Sequence, residues 1–399
     1  MSLRAFRQDV RSWLEENCPA SMRTDMPDNE IVNGGSKQRS PNPDSYVWLE
    51  RMASKGWTVP HWPEEYGGAD LTKDEYVVLL EEMSAINARI PLTGMGVAMI
   101  GPTLLEYGTP EQKAEHLPKI ASGEIRWCQG YSEPGAGSDL ASLQTRAEDQ
   151  GDHFVINGQK IWTTLAQHGD WIFFLARTDF DAPKHEGISF MLMDMDQPGV
   201  TVRPIKLISG ASQFCETFFD DAVALKSNLV HKLNKGWTVG KRLLQHERSG
   251  IQALAQAAAG RSAQATNGTP IAESAQKYAG TVDNKIADSV LRNDIIAHNM
   301  NNRALSLTQT RTVEESEGGT PGPATSIFKL RGADLRKEQW ELQLRARGTA
   351  ALGWEGDAFT EDERLVTRTW LGSKAGSIAG GSNEVQLNII AKRVLGLPD

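Results

Sequence analysis

The hydrophobic pattern of this chain changes twice along its length, and this order limits the folds that the chain can adopt. Up to about residue 120, apolar residues recur at helical spacing, as in residues 74–83. Short β-type runs follow at 171–175, 188–193 and 217–219, and helical spacing returns from Gly236 to the end. Because no helices alternate with the strands, the pattern predicts helices, then an antiparallel sheet or small barrel, then helices again.

A chain of 399 residues exceeds what one hydrophobic core usually serves, and we therefore expect more than one domain. The predicted fold is α+β and mostly helical, with a helical domain over residues 1–122, an antiparallel β domain over 123–232 and a helical bundle over 233–399. Within the β domain, Asn157-Gly158 lies between two apolar runs, which predicts a hairpin with a type I′ turn.

Composition excludes several classes of protein. The net charge of −9 argues against a nucleic-acid binder, which needs clustered lysines and arginines. No apolar run approaches the ~20 residues that span a bilayer, and the N-terminus lacks the features of a secretory signal. Three scattered cysteines, and eight histidines without metal-ligand spacing, predict neither a disulfide framework nor a metal site. We expect a soluble, cytoplasmic protein without a membrane span.

The loop at residues 130–139, GYSEPGAGSD, is the first candidate for a binding site. Its proline and glycines hold an irregular backbone whose N–H groups can face an anion, and Ser132 and Ser138 add hydroxyl donors. Composition alone slightly favours a plain tight turn between domains. The loop therefore needs support from other parts of the chain.

Glu247 is the second candidate, because helical spacing places it within an apolar stripe. Leu243 and Leu244 precede it by one turn, and Ile251 and Leu254 follow it. Burial raises the pKa of a carboxyl group, which suits a general base acting near neutral pH. A structural ion pair with the adjacent arginine or another cation is an equally good interpretation of the same pattern.

The third candidate is the pair Gly380-Gly381, which precedes the last helix. Glycine allows the backbone to approach a flat ligand closely, although glycine is also common where helices begin. Ser382 is placed to cap the helix. Its predicted apolar stripe consists of Leu387, Ile390, Ala391, Val394 and Leu395.

Six stretches of the chain carry motifs that occur together in one family. They are WTVPHWPEEYGG (57–68), GPTLLEYGTPEQK (101–113), YSEPGAGSDLASLQT (131–145), INGQKIWTT (156–164), FFDDAVALKSNLV (218–230) and GGSNEVQLNIIAKRVLGLP (380–398). Together they resemble the acyl-CoA dehydrogenase family of flavoenzymes over nearly the whole chain. The resemblance implies a helical N-terminal domain, a central β domain, a C-terminal four-helix bundle, non-covalently bound FAD and a tetramer.

The resemblance also implies roles for individual residues. A loop that runs along the flavin in the family matches residues 129–138, and the residues expected to contact FAD in the whole chain are Gln129, Tyr131, Ser132, Ser138, Trp162, Thr164, Ser382 and Glu384. Those expected to contact acyl-CoA are Ser138, Gln245, Arg248, Gly380 and Gly381.

The position of the catalytic base distinguishes members of this family. Many members carry a glutamate directly before the glycine that precedes the last helix, where this chain has Gly380. A minority, including the isovaleryl and long-chain types, place it on an earlier bundle helix, where Glu247 falls. The resemblance thus implies that Glu247 removes the α-proton and that the β-hydride passes to flavin. The product would be a trans-2-enoyl-CoA, and electron-transferring flavoprotein would accept the electrons.

Departures from the family pattern keep other interpretations open. The family's R-x-x-F-G element, whose arginine meets the FAD diphosphate of a neighbouring subunit, is missing from residues 265–285, although Arg292 is a possible substitute. A non-catalytic partner subunit of a heterotetramer is therefore one alternative to a homotetrameric enzyme. A related flavin oxidase, monooxygenase or desulfinase is another. Gly101 and Pro102 suggest room for a branched, cyclic or steroid-like acyl group.

Overall fold

The computed structural model describes residues 2–248, 269–315 and 325–398, without the side chains of 246–248 and 313–315. The described residues form two compact units. The first contains residues 2–205 and 212–248, and the second contains 206–211 together with the described residues from 269 onward. Within these ranges, no helix is long and apolar enough to cross a bilayer.

The N-terminal region is helical, as the sequence predicts. Its helices are α1 (Leu3–Asn17), α2 (Asp44–Ser54), α3 (Lys73–Ala85), α4 (Gly101–Tyr107) and α5 (Pro110–Ala121). Thr72 and Thr109 begin α3 and α5 with capping boxes, in which the threonine hydroxyl accepts a backbone N–H bond and the side chain three residues later accepts one in return. The helical spacing at residues 74–83 is thereby confirmed.

Gly101 packs against the core and opens no space for a ligand. A β-carbon built at Gly101 would lie 2.1 Å from the indole ring of Trp62, which is fully buried. The ring fills the volume that a side chain would take, because interiors pack at the density of organic crystals. The prediction of extra room for an acyl group at this glycine is therefore wrong.

The central region is one mixed sheet that is mainly antiparallel. Its strands are β1 (Trp127–Gly130), β2 (Arg146–Asp149), β3 (His153–Thr164), β4 (Trp171–Arg177), β5 (Ile188–Asp194), β6 (Val200–Ile205), β7 (Phe214–Leu225) and β8 (Leu229–Val230). They run in the order β6-β7-β3-β2-β4-β5-β8, with β1 parallel to β4. Phe173 and Phe174 of β4 enter separate core clusters on opposite faces, which explains its uninterrupted apolar run.

The predicted hairpin at Asn157-Gly158 is wrong, because β3 continues through both residues. The pairing register between β3 and β7 shifts between Ile156 and Gly158, which marks a β-bulge. A β-carbon on Gly158 would lie 2.7 Å from the Thr145 hydroxyl oxygen, so glycine is needed for close approach to β2's neighbouring chain. The amide of Asn157 exchanges hydrogen bonds with Asp221 on β7 at 2.8 and 2.9 Å.

The C-terminal region returns to helices. They are α6 (Gly236–Arg248) in the first unit and, in the second, α7 (Ile271–Ala279), α8 (Ser289–Glu315), α9 (Thr325–Arg347), α10 (Glu361–Ser373) and α11 (Asn383–Ile389). Ser382 caps α11, as predicted. A short hairpin joins β9 (Thr281–Val282) to β10 (Lys285–Ile286). The mostly helical α+β order of the sequence analysis is confirmed, whereas the exact domain boundaries remain a prediction.

His116 on α5 is buried among aromatic rings without a hydrogen-bond partner in the described residues. Its imidazole lies edge-on to Trp127 and Trp171, with ring centroids 5.3 and 4.7 Å away. Burial lowers its pKa to about 4, while Glu115 opposes and Lys119 adds to this effect. The native state therefore holds a neutral imidazole at neutral pH.

Acid is expected to destabilise the protein through this side chain. The unfolded chain takes up the proton near pH 6.5, whereas folded His116 resists it until about pH 4. The contribution is complete above pH 6.5 and falls by about 2 kcal/mol by pH 5. Urea unfolding at pH 7.5 and 5 measures this loss, and His116→Leu should lack that part of the pH dependence. An identical pH dependence in the two proteins would contradict the assignment.

Candidate active site

Trp162 is held in an unusual backbone conformation at the end of β3. Its φ is +61°, a left-handed value that costs energy for a bulky residue. It lies where the β3–β7 register shifts between Lys160 and Thr163. The indole is 53% exposed, and its only ring contact among the described residues is Phe214, edge-on at 6.1 Å. Strain that presents a large aromatic face is typical of a ligand-binding position.

The loop at residues 130–139 begins with a closed turn. The backbone N–H groups of Glu133 and Ala136 each donate to the other residue's carbonyl at 3.0 Å, with Pro134 and Gly135 between them. Ser132 lies next to β3, since its carbonyl accepts the Ile161 N–H at 2.8 Å. The loop and the Trp162 bulge are therefore neighbours.

A buried ion pair joins the loop to β3. Lys160 is fully buried, and its Nζ donates to Glu133 Oε1 at 2.8 Å, to the Leu175 carbonyl at 2.7 Å and to the Tyr131 carbonyl at 3.3 Å. The Glu133 carboxylate also accepts the N–H groups of Gln144 and Thr145 at 2.6 and 2.9 Å. All three ammonium donors thus have acceptors, and the two motifs form one structural unit.

Burial acts on both partners of this pair. It lowers the pKa of Lys160 to about 8, although the attraction of Glu133 opposes the change. Burial alone would raise the pKa of Glu133, but the Lys160 charge and the hydrogen bonds that the carboxylate accepts hold its pKa below the ordinary value. Both groups are therefore charged at neutral pH.

Gln129 and Tyr131 take different places beside the loop. The Gln129 amide Nε2 is buried and has no hydrogen-bond partner among the described residues. The Tyr131 ring packs edge-on against Phe173 and Phe190 in the core, so its backbone is the part available to a ligand. A buried amide donor is costly unless something bonds to it. The Gln129 donor and the strained, exposed indole of Trp162 fit a polar, flat cofactor such as FAD.

Two further expected cofactor contacts lie close to this region in the chain. Thr164 is partly buried and pairs with Phe214 of β7, and Thr163 beside it is fully buried with no partner for its hydroxyl in the described residues. Ser138 is exposed, and the following Asp139 forms an ion pair with Lys184 at 2.8 Å. Ser138 thus lies in the exposed part of the loop.

Helix α6 carries the candidate base. Leu243 is buried in the core and Leu244 packs partly against it, which confirms the apolar face before position 247. Gln245 is exposed, and its Oε1 accepts a bond from Arg242, which also pairs with Glu106 at 2.7 Å. The side chains of Glu247 and Arg248, and all of Ile251, Leu254 and Ala255, lie outside the described residues.

The remaining candidates are in the second unit. Gly380 and Gly381 both have left-handed φ values, +67° and +91°, and a β-carbon on Gly380 would meet no atom within 4 Å. The Ser382 hydroxyl caps α11, and Glu384 is exposed in its first turn. The glycines therefore leave the backbone before α11 open, as the sequence predicts.

Sequence analysis missed the residues that build the first unit's candidate site. Lys160 and Glu133 were both inside quoted motifs, but a charged residue in a sequence gives no sign that it is buried. The one available signal was the polar Gln159-Lys160 within an otherwise strand-like run. The positive φ of Trp162 and the unpartnered Thr163 hydroxyl depend on strand register, which sequence does not reveal.

Family models match almost the whole chain. The N-terminal domain of acyl-CoA dehydrogenase matches residues 2–124, the middle domain matches 128–222 and the C-terminal domain matches 234–395. These matches follow the helix, sheet and helix order of the described residues.

Relatives with names are similar over their full lengths. The chain is 37% identical to acyl-CoA dehydrogenase IpdE1 of Mycobacterium tuberculosis over 98% of this chain and 97% of that one. Among solved structures, the Tcur3481-Tcur3483 steroid ACAD is 30% identical with a TM-score of 0.74, covering 99% of this chain and 97% of the other. The ChsE4-ChsE5 complex of Mycobacterium tuberculosis is 27% identical with a TM-score of 0.72, covering 100% and 98%.

Proposed function

Because this chain belongs to the acyl-CoA dehydrogenase family of FAD-dependent oxidoreductases, we propose that it converts an acyl-CoA into a trans-2-enoyl-CoA with Glu247 as the base. The observation that carries the proposal is the strained, exposed Trp162 beside the loop at 130–139. Ser132, Trp162, Thr164 and the Gln129 amide would hold the FAD. When bound, FAD accepts a hydride from the substrate's β-carbon.

The chain's own residues would supply proton transfer and charge stabilisation. An α-proton of a thioester is weakly acidic, so its removal needs a positioned base and hydrogen bonds to the developing enolate oxygen. We assign the base to Glu247, because position 247 follows the buried Leu243 by one helical turn. The backbone N–H of Gly380 is our candidate donor to the enolate oxygen, and Ser138, Gln245, Arg248 and Gly381 are proposed substrate contacts.

The substrate class that we propose is a branched, cyclic or steroid-like acyl-CoA. Its support is the similarity to solved structures whose titles describe a steroid ACAD. The test is anaerobic mixing of the yellow protein with straight, branched, cyclic and steroid side-chain CoA thioesters. Bleaching of flavin absorbance is expected with the bulky thioesters, and the enoyl product is identified by mass spectrometry. Bleaching by none of the panel would reject the proposal.

Two alternatives predict different results in the same experiment. A non-catalytic partner subunit, favoured by the missing R-x-x-F-G element at residues 265–285, would purify without flavin colour. A flavin oxidase, monooxygenase or desulfinase would consume oxygen or release sulfite with its own substrate. Acyl-CoA bleaching without oxygen consumption distinguishes the dehydrogenase from both alternatives.

Exposed apolar side chains support assembly with another chain. In the second unit, Val290, Ile296 and Met300 of α8 are more than half exposed, as are Leu387 and Leu395 of the predicted stripe. Apolar residues grouped on helices mark protein interfaces. We infer a homotetramer or a heterotetramer, with electron-transferring flavoprotein as the electron acceptor. Mass photometry of the chain alone and with co-expressed homologues distinguishes the assemblies.

Trp162→Ala is expected to weaken FAD retention. The substitution removes a large aromatic face that now stands half exposed, and aromatic stacking contributes about 1 kcal/mol beyond area burial. At least a fivefold rise in the FAD dissociation constant is expected from this loss. Fluorescence of released FAD measures it. Trp370→Ala, which removes an indole of the second unit, is the control, and equal FAD retention in both variants would contradict the placement.

A further inference from the structure

A second cavity lies wholly within the second unit, at the start of α10. It has a volume of about 420 Å³ and is lined by Trp354, Gly356, Arg364 and Arg368, with the exposed Glu355 and Glu361 also on its wall. This volume lies within the range of small-ligand sites. None of these residues has a role in the dehydrogenase proposal.

Two arginines line this cavity without a carboxylate partner. Arg364 donates to the Gly356 carbonyl at 2.6 Å, and Arg368 donates to the Trp354 carbonyl at 2.9 Å. Neither has an ion pair among the described residues, although two glutamates line the same cavity. Arginines four residues apart on a helix lie on one face, about 5–6 Å apart at their β-carbons. The α10 face thus presents two neighbouring guanidinium groups.

The Arg368 guanidinium is placed to bind a further acceptor. Its Cζ lies 5.0 Å from the centre of the Trp354 ring, which holds the planar group by cation–π attraction. Its Nε is buried and has no hydrogen-bond partner in the described part of the chain. A buried guanidinium N–H without an acceptor is costly, so an anionic ligand would gain a charge-assisted bond there.

We propose that the Arg364–Arg368 cavity binds the diphosphate of an ADP-containing ligand. Arginine forks match phosphate oxygens, and two adjacent forks match two linked phosphates better than one. The ligands of the proposed function that contain this group are FAD and CoA, so the choice between them rests on that function. Diphosphate binding itself does not depend on turnover.

The test uses calorimetric titration of the full-length protein with inorganic pyrophosphate, in FAD-loaded and FAD-free forms. Arg364→Gln and Arg368→Gln should each weaken binding at least about tenfold, because each loses a charge-assisted bond. Arg336→Gln is the matched control, since Arg336 is an exposed arginine on α9 of the same unit. It should bind pyrophosphate like the unaltered protein.

The two forms of the protein distinguish the sources of the diphosphate. Binding only to the FAD-free form identifies FAD, whereas binding to both forms with displacement by CoA identifies CoA. Both outcomes support the proposal. No heat of binding in either form, or equal affinity in the Arg364→Gln/Arg368→Gln double variant, overturns it. Loss of dehydrogenase activity alone changes neither result, so the two proposals can fail separately.

Discussion

Lys160→Met is expected to lower the free energy of unfolding of the first unit by about 3 to 5 kcal/mol. Methionine nearly preserves the volume, but it leaves the Glu133 carboxylate buried without its cation. The Tyr131 and Leu175 carbonyls lose a donor at the same time. Denaturation by urea, followed by fluorescence, measures the change. Because Glu133 holds the loop through Gln144 and Thr145, FAD retention should fall as well.

Matched variants separate burial from charge. Lys226 and Asp149 form an exposed ion pair at 2.6 Å in the same sheet region, and Lys226→Met should cost at most about 1 kcal/mol. The Lys160→Met/Glu133→Gln double variant should recover part of the loss, because it removes the unpaired charge. A loss for Lys160→Met no larger than that for Lys226→Met would contradict the structural role of the buried pair.

The order of the fold could be predicted because hydrophobic periodicity is local. The run at 171–175 became β4, and its uninterrupted apolar character reflects burial on both faces by separate core clusters. Asn157-Gly158 was interpreted wrongly for a related reason. The turn propensity of the pair is local, whereas pairing of β3 with β7 on both sides of it is not. Tertiary pairing turned the expected hairpin into a bulge.

The chemistry of the candidate site was predictable only where backbone freedom is written in the sequence. Gly380 and Gly381 have the left-handed φ values that glycine favours. The Glu133–Lys160 pair joins residues 27 positions apart, and charged residues are rarely buried, so no pattern in the sequence indicates it. The stripe of the last helix was placed correctly on one face, but Leu387 and Leu395 are exposed because sequence does not reveal what covers a face.

Glu247→Gln is expected to reduce kcat by about a hundred- to ten-thousand-fold, the usual contribution of a positioned general base. Glutamine keeps the shape and the hydrogen-bonding capacity of the side chain but cannot accept the α-proton. FAD content, measured by absorbance, and the dissociation constant of the acyl-CoA should stay within about twofold, because the base contributes to the transition state and little to binding.

Two further variants make this prediction specific to a base. Glu247→Asp keeps a carboxylate at a shorter reach and should give an intermediate kcat, whereas a merely structural glutamate would not order the three proteins by basicity. Glu273→Gln, an exposed glutamate of α7, controls for loss of charge and should leave kcat unchanged. If Glu247→Gln turns over the preferred thioester at the rate of the unaltered enzyme, the base lies elsewhere, and the assignment of this chain to the subgroup with its glutamate on the earlier helix fails with it.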